Sequence, residues 1–410
     1  MRDVGIVMPV YKQDPAYLEL ALRSVLEQSY RNYYFVIVSD GAPPDTVDVI
    51  KNVTKGDDRV HLILKEKNEG VAKTLNIGFD YLMQIEEVKY LTWVSSDNIY
   101  YITFIEKLRE ALEKSSSEIG LSFSRFIHVD HNRIPLTEPQ YKEFYNYQDQ
   151  PKENLLDVCF IGVSFMYKKQ FAAMIDGYKL EPVEDYDYWL RITEHCEIVF
   201  VPDILMEYRT NSPLSISAQL RNSKSQHQRW RYAFNLAKHQ ARRRRSIPFK
   251  LTVIYPVQDG SEKTVNKLEE LLEQSFSNYK LVIIDTSFDR AGINVMQHIS
   301  DPRVKFISLP GASKQDAILT GMKDADTLFT LIYGEGIFPS TQFVLQNLVL
   351  FHEQFIQQNL EKTIIATIEN NNGHLAARIE LSEDEPVIGH LYLTTRLLEI
   401  LQQRDHQTGQ

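Results

Sequence analysis

Cysteine is nearly absent from this sequence of 410 residues. There are two, Cys159 and Cys196, and no CxxC pair. They read as buried free thiols in a reducing compartment, with a single disulfide left open. A basic surplus is also missing. The net charge of −10 argues against nucleic acid as the main partner, because a phosphate-binding surface needs the opposite balance. No window has the length of a membrane-spanning apolar helix. The opening MRDVGIVMPVYKQD is too short in its apolar run for a signal peptide, which places the protein in the cytoplasm. No GxGxxG follows Val10, which disfavours a dehydrogenase. Met8-Pro-Val-Tyr-Lys12 is not the glycine-rich basic loop that a nucleotidyltransferase would want.

What is present is ordinary for a soluble globular chain: 43% hydrophobic and 24% charged residues. The 22 tyrosines and 20 phenylalanines suit carbohydrate or base stacking as well as plain core packing. The length allows two or three domains. Val4–Val10 is a continuous apolar run, as in a buried parallel strand. Pro15 opens a helix with Leu18, Leu22, Val25 and Leu26 on one face. Strands at 34–38, 60–64 and 90–94 alternate with helices at 45–53 and from Asn68 to about Ile85. That alternation predicts a doubly wound, mostly parallel α/β sheet. Ligands of such sheets bind beyond the carboxyl ends of the strands, so Tyr11, Asp40 and Asp97 should line one crevice.

Further on, the sequence predicts a helix at 105–114 and a strand at 120–129. A polar, tyrosine-rich loop is expected at 135–151 and a short strand at 198–202. Glu184-Asp185-Tyr-Asp-Tyr-Trp-Leu-Arg191 opens a helix whose first turn is acidic, which also suits the helix dipole. Residues 217–245 form a basic helical segment on which Leu220, Trp230, Phe234 and Ala237 can share a face. It reads as a linker, with a peripheral membrane contact as the less favoured alternative.

The second half repeats the first. Glu27–Ile37, EQSYRNYYFVI, recurs at 273–283 as EQSFSNYKLVI. Ile254-Tyr-Pro-Val257 echoes Val7-Met-Pro-Val10, and 301–307 echoes 57–63. Residues 328–336 echo 90–98, which matches Glu335 to Asp97. Thr286 stands where Asp40 does, and no counterpart of Glu184-Asp185 follows before Gln410. The expected organisation is a first domain at 1–215, a basic helical linker at 216–248, and a degenerate, truncated, non-catalytic second copy at 249–410. That copy could serve dimerisation, substrate docking or plain packing.

In their order along the chain, these motifs resemble glycosyltransferase family 2 with the GT-A fold. The resemblance rests on Ile6–Tyr11, Val38-Ser-Asp-Gly41, Asn68-x-Gly70, Leu75-Asn-x-Gly78, Ser95-Ser-Asp97 at the DxD position, Glu184-Asp185 at the ED position and Tyr208-Arg-Thr-Asn211 at a YRxH position. It implies an inverting transferase that moves sugar from a nucleotide sugar, most simply UDP-linked, to a hydroxyl on a glycan, polysaccharide precursor or small molecule. Pro9, Val10 and Tyr11 would wall the base, Asp40 would accept from uracil or ribose, and Asn68 and Gly70 would form the adjoining turn. Lys73 and Arg209 would meet the diphosphate. Ser95, Ser96 and Asp97 would sit at the phosphates, with Asp97 holding Mg²⁺ or Mn²⁺. Asp185 would be the catalytic base, with Glu184, Trp189 and Gly162 on the acceptor side. Ser95 replaces the first Asp of DxD, and Asn211 replaces the His of YRxH. These two leave an alternative open: a catalytically inactive nucleotide-sugar-binding or scaffold protein. Gln226-His-Gln-Arg-Trp230 also matches the QxxRW pattern of processive synthases, and reads as chance or as a non-processive acceptor contact.

Overall fold

A computed structural model describes residues 2–210, 223–334, 342–357, 365–371, 374–380 and 389–408. Asn211, Leu220 and Glu335, singled out above, lie outside them. The chain forms two compact units, Met1–Ala241 and Arg242–Gln410.

The first unit opens with alternating strands and helices: β1 (Val4–Val10), α1 (Pro15–Leu26), β2 (Tyr33–Asp40), α2 (Pro44–Val53), β3 (Val60–Lys65), α3 (Val71–Met83) and β4 (Tyr90–Trp93). It continues with β5 (Ile99–Tyr100), α4 (Phe104–Lys114), β6 (Ile119–Val129), α5 (Pro139–Tyr147), β7 (Phe165–Lys168), α6 (Lys169–Ala172), α7 (Glu184–Ile192), β8 (Glu197–Arg209) and α8 (Lys224–Arg244). The sheet order is β3-β2-β1-β4-β7-β6-β8-β5. The first four strands are parallel, β7 runs antiparallel to β4 and β6, and β6 pairs parallel with β8.

The apolar runs of β1 and β2 follow from burial on both faces. Val7, Val36 and Val38 pack with Leu75, Phe79 and Leu82 of α3. Ile6, Met8, Phe35 and Ile37 point the other way, toward Leu18 and Leu22 of α1 and Leu108 of α4. The period of two splits one sheet between two cores. Asp14 starts α1 by accepting from the Ala16 and Tyr17 amides, with Pro15 in the first turn.

Three expectations change. The loop at 135–151 contains α5, whose Tyr141 and Phe144 pack on His128 and Phe126 of β6, with ring centroids 4.6 and 5.4 Å apart. The short strand at 198–202 is the first part of β8. Register shifts at Ser124/Arg125 carry β8 past Pro202, which cannot donate to a ladder, and on to Arg209. The linker helix α8 buries Ala233, Ala237 and Ala241 in the core of the first unit, so the division falls at 241/242 rather than on either side of a linker at 216–248.

The second unit contains β9 (Leu251–Val257), α9 (Glu262–Leu272), β10 (Tyr279–Asp285), α10 (Ala291–Met296), β11 (Val304–Ser308), α11 (Lys314–Met322) and β12 (Phe329–Ile332). After these come α12 (Val344–Gln357), β13 (Ile365–Asn371), β14 (His374–Glu380), β15 (Leu391–Leu393) and α13 (Thr394–Thr408). Its order is β11-β10-β9-β12-β15-β13-β14. Its first four strands are parallel, and the next is antiparallel. A small ion pair recurs in both units. Arg59, paired with Asp57, lies 4.6 Å from the Tyr33 ring centroid, and Arg303, paired with Asp301, lies 4.3 Å from that of Tyr279. Among the described residues no helix is long and apolar enough to cross a membrane.

Candidate active site

The parallel register brings Val10, Ser39 and the residues after Trp93 to one edge of the first sheet. Asp40 ends β2 and is buried there. One carboxylate oxygen accepts the Glu69 amide at 3.0 Å and the other accepts the Gly70 amide at 3.1 Å, while the Lys65 ammonium pairs with the same carboxylate. Asp40 thus builds the turn at 68–70, which is a different use of it from the ribose contact expected above. Lys65, the residue that neutralises it, is missing from the sequence reading. Nothing in the local pattern sets Lys65 apart from other lysines at strand ends.

The same turn is held from the opposite side by a second carboxylate. Glu181 accepts the Ala72 amide at 2.7 Å, capping the start of α3 from 109 positions away. Gly70 makes the approach feasible. Its φ is +96°, and a Cβ there would lie 2.6 Å from the Glu181 carboxylate. Asn68 is exposed on this turn. Lys73 projects into solvent and reaches Glu69 at 3.4 Å.

Asp97 lies on the loop after β4. Gln13 donates to the Ser96 hydroxyl at 3.2 Å, and the Tyr100 hydroxyl accepts the Ser95 amide at 2.8 Å. Both serines therefore shape the loop. Burial pushes the Asp97 carboxyl up to about 6, with Arg209 opposing the rise. The Arg209 guanidinium is committed elsewhere. It donates to the Asp97 carbonyl at 3.1 Å and the His131 carbonyl at 2.7 Å, and lies 3.8 Å from the Tyr17 ring centroid. Arg209 is a buried brace for the loop, which leaves little of its fork for a diphosphate. Among the described residues, no group of three His, Cys, Asp or Glu side chains could hold a metal by itself. A single hard carboxylate does fit Mg²⁺ or Mn²⁺ when substrate phosphates complete the shell.

Glu184 and Asp185 open α7. Burial raises both carboxyls, and the Asp185 charge raises Glu184 further. One Glu184 oxygen is buried without a partner, and one Asp185 oxygen accepts the Tyr186 amide at 2.6 Å. Asp187, in the same turn, is taken by Arg191 at 2.8 Å. The two adjacent carboxyls titrate as a pair and together hold a proton more readily than isolated carboxylates. Glu181 lies three positions before Glu184, so its cap on α3 ties this pair to the turn that Asp40 holds.

Trp189 is not on an open face. It is fully buried, with its ring centroid 4.3 Å from that of Phe165 in an edge-to-face contact. Gly162 has φ +65°, and a Cβ there would lie 2.6 Å from the Phe126 ring, so close packing accounts for this glycine. Val10 is buried, Pro9 is partly so, and Tyr11 is 42% exposed, with the Lys12 ammonium 5.8 Å from its ring centroid. The QxxRW segment lies on α8, where Trp230 stacks on Phe234 at 4.9 Å and Phe234 on Tyr186 at 4.3 Å. That stack packs α8 against Tyr186, the residue after Asp185. Both cysteines are free thiols. In the second unit, Asp285 accepts from the Ser287 and Ile293 amides and is used up in starting α10.

Residues 5–174 match the family model described as glycosyl transferase family 2. That stretch lies within the first unit and takes in the parallel part of its α/β sheet. The chain is 26% identical over 209 residues to the uncharacterized glycosyltransferase MJ1057 of Methanocaldococcus jannaschii, covering 50% of this chain and 70% of that protein. It is 23% identical over 326 residues to an uncharacterized glycosyltransferase of Rickettsia bellii, covering 69% of this chain and 45% of that one. The chain thus spans less than half the length of the rickettsial relative. Among solved structures, the mannosyltransferase PcManGT from Pyrobaculum calidifontis, in complex with GDP-Man and Mn²⁺, aligns with a TM-score of 0.45. The identity is 14%, over 58% of this chain and 64% of that one.

Proposed function

We propose that this chain is an inverting glycosyltransferase. It moves a sugar from a nucleotide sugar, most simply UDP-linked, to a hydroxyl of a glycan precursor. The observation that carries the reading is the Glu184–Asp185 pair, with one buried unpartnered oxygen, joined through Glu181 to the turn that Asp40 holds, just beyond the stretch 5–174 that matches the family 2 model. Asp185 takes the proton of the acceptor hydroxyl. The hydroxyl oxygen bonds to the anomeric carbon from the face opposite the diphosphate. The bond from that carbon to the diphosphate oxygen breaks, and UDP leaves with the electron pair. Glu184, held neutral by its surroundings, donates a hydrogen bond to the sugar or acceptor.

The Tyr11 ring offers a stacking face to the base, and the turn held by Asp40 closes the base pocket. A divalent cation held by Asp97 and the diphosphate oxygens would supply charge neutralisation of the leaving group. The second unit is read as a degenerate copy that serves acceptor docking. Its consumed Asp285 and the replacement of Asp40 by Thr286 support a non-catalytic role.

Calorimetric titration of UDP, UDP-sugars and GDP-sugars with Mn²⁺ and with EDTA tests the reading. Micromolar binding of one uridine donor that needs Mn²⁺ is expected, and it should be lost in Asp97→Asn. No binding of any nucleotide would sink it.

A further inference from the structure

The first sheet has a second cavity at its other edge, at the opposite end of β4 from Asp97. It is an open cavity of about 550 Å³, lined by Val88, Lys89, Tyr90, Ser117, Lys168 and Lys169, with Glu86, Gln170 and Ala173 completing the rim. The sheet register builds it. Tyr90 pairs with Lys168, and the Lys169 amide donates to the Lys89 carbonyl at 2.8 Å, so the backbone of Lys89 is brought beside the consecutive Lys168 and Lys169.

Two of the ammoniums are fixed at the rim. Lys168 donates to the Ser116 carbonyl at 3.2 Å and Lys169 to the Ile85 carbonyl at 2.7 Å. Each ammonium keeps further donors for another acceptor. Among the described residues none of the three lysines forms an ion pair. Glu86 is the one carboxylate on the rim, and it pairs with none of them. Burial pushes the Lys168 ammonium below its ordinary range, a cost that a bound anion would offset. A cluster of unpaired cations around a cavity contrasts with the net charge of −10 of the whole chain. Val88 and Ala173 give the cavity an apolar wall, and Ser117 and Gln170 add neutral hydrogen-bonding groups.

We propose that this cavity binds a soluble phosphorylated metabolite of about monosaccharide size, with its phosphate held by Lys89, Lys168 and Lys169. The site is separate from the crevice of the proposed transfer reaction, and its occupancy does not depend on that reaction. Lysine presents point charges, so the contact is salt-sensitive and tolerant of the sugar carried.

The test uses the full chain and glucose 1-phosphate as probe. Calorimetry and lysine acetylation mapped by mass spectrometry are run on wild type and on K89Q/K168Q/K169Q, with UDP titrated in parallel. Expected are submillimolar binding that weakens with added salt, protection of Lys168 and Lys169 from acetylation, and at least a tenfold loss of affinity in the triple variant with UDP affinity unchanged. The acetylation arm needs only wild type, so it stands even if the variant folds poorly. Absence of both binding and protection up to about 10 mM probe, beyond the millimolar end of the affinity scale, would overturn the proposal. So would equal affinity in a folded triple variant. Cosedimentation with phosphatidylglycerol vesicles that depends on these lysines, without glucose 1-phosphate binding, would overturn it in favour of a lipid headgroup.

Discussion

Gly70→Ala is the most informative single change in the first unit. Gly70 has φ +96° and ψ 164°, a region that costs an L-residue about 1–3 kcal/mol. A Cβ there would also lie 2.6 Å from the Glu181 carboxylate, so that side chain must leave the Ala72 amide. A charge-assisted hydrogen bond of this kind contributes roughly 1.5–3 kcal/mol. Reduced freedom of the unfolded chain returns about 0.4–1 kcal/mol. The net expected loss is about 2–4 kcal/mol, read as a shift of the urea midpoint of the transition that carries the first unit. Glu181→Ala removes the cap without the backbone strain and should cost about half as much. UDP affinity should fall in Gly70→Ala, because the Gly70 amide also fixes Asp40. A Gly70→Ala protein within 0.5 kcal/mol of wild type (roughly the ordinary scatter for surface substitutions) would refute the reasoning. So would a Glu181→Ala cost equal to that of Gly70→Ala.

Other consequences concern charge. Asp97 titrates at about 6 in the folded chain against an ordinary 3.8, so the folded state holds its proton more tightly. The associated stability is present below pH 4 and is lost as pH rises through 6. Asp97→Asn should therefore be the more stable protein at pH 7.5 by up to roughly 3 kcal/mol, converging with wild type near pH 4, in metal-free thermal melts. A gap that is unchanged across that window would count against it. Glu184→Gln should uncouple the pair and remove the change in the rate profile on the alkaline side of neutrality, where the raised Glu184 carboxyl ionises. An identical alkaline limb in the variant would contradict the pairing. Arg209→Lys should lose the Tyr17 stack and the fork to two carbonyls, costing about 2 kcal/mol, and should weaken Mn²⁺-dependent UDP binding. Lys73→Ala should leave that affinity within about twofold, since Lys73 is an exposed residue whose neighbour is Glu69. The reverse ranking would restore Lys73 as a phosphate contact.

The sheet was legible because β1, β2 and β4 are near-continuous apolar runs, a pattern that only strands buried on both faces need. The crevice followed from it, since parallel strands must end together. Asp97, Glu184 and Asp185 could be picked out because each carboxylate follows an apolar run or opens a helix at that edge. Illegible was what the fold itself consumes. Asp40, Arg209, Ser95, Ser96 and Trp189 looked available to a ligand, yet Asp40 and Arg209 hold backbone groups, the Ser95 amide and the Ser96 hydroxyl are bonded within the fold, and Trp189 is core. Their partners, among them Lys65, Tyr17 and Tyr100, come from other elements, and no local pattern records such pairings. Glu181 was missed for the same reason, as its partner is the start of a helix 109 positions earlier. The α8 boundary was misplaced because its buried stripe is alanine, Ala233, Ala237 and Ala241, within a strongly basic segment.

The central claim is that Asp185 is the base of a transfer reaction in the first unit. Single-turnover assays with a UDP-sugar and Mn²⁺, on wild type and Asp185→Asn, test it most directly. The account predicts a loss of roughly 10²–10⁴-fold in the chemical step with UDP affinity unchanged, the range for removal of a general base. Turnover by Asp185→Asn at the wild-type rate would contradict it, as would UDP binding without turnover of any donor by wild type.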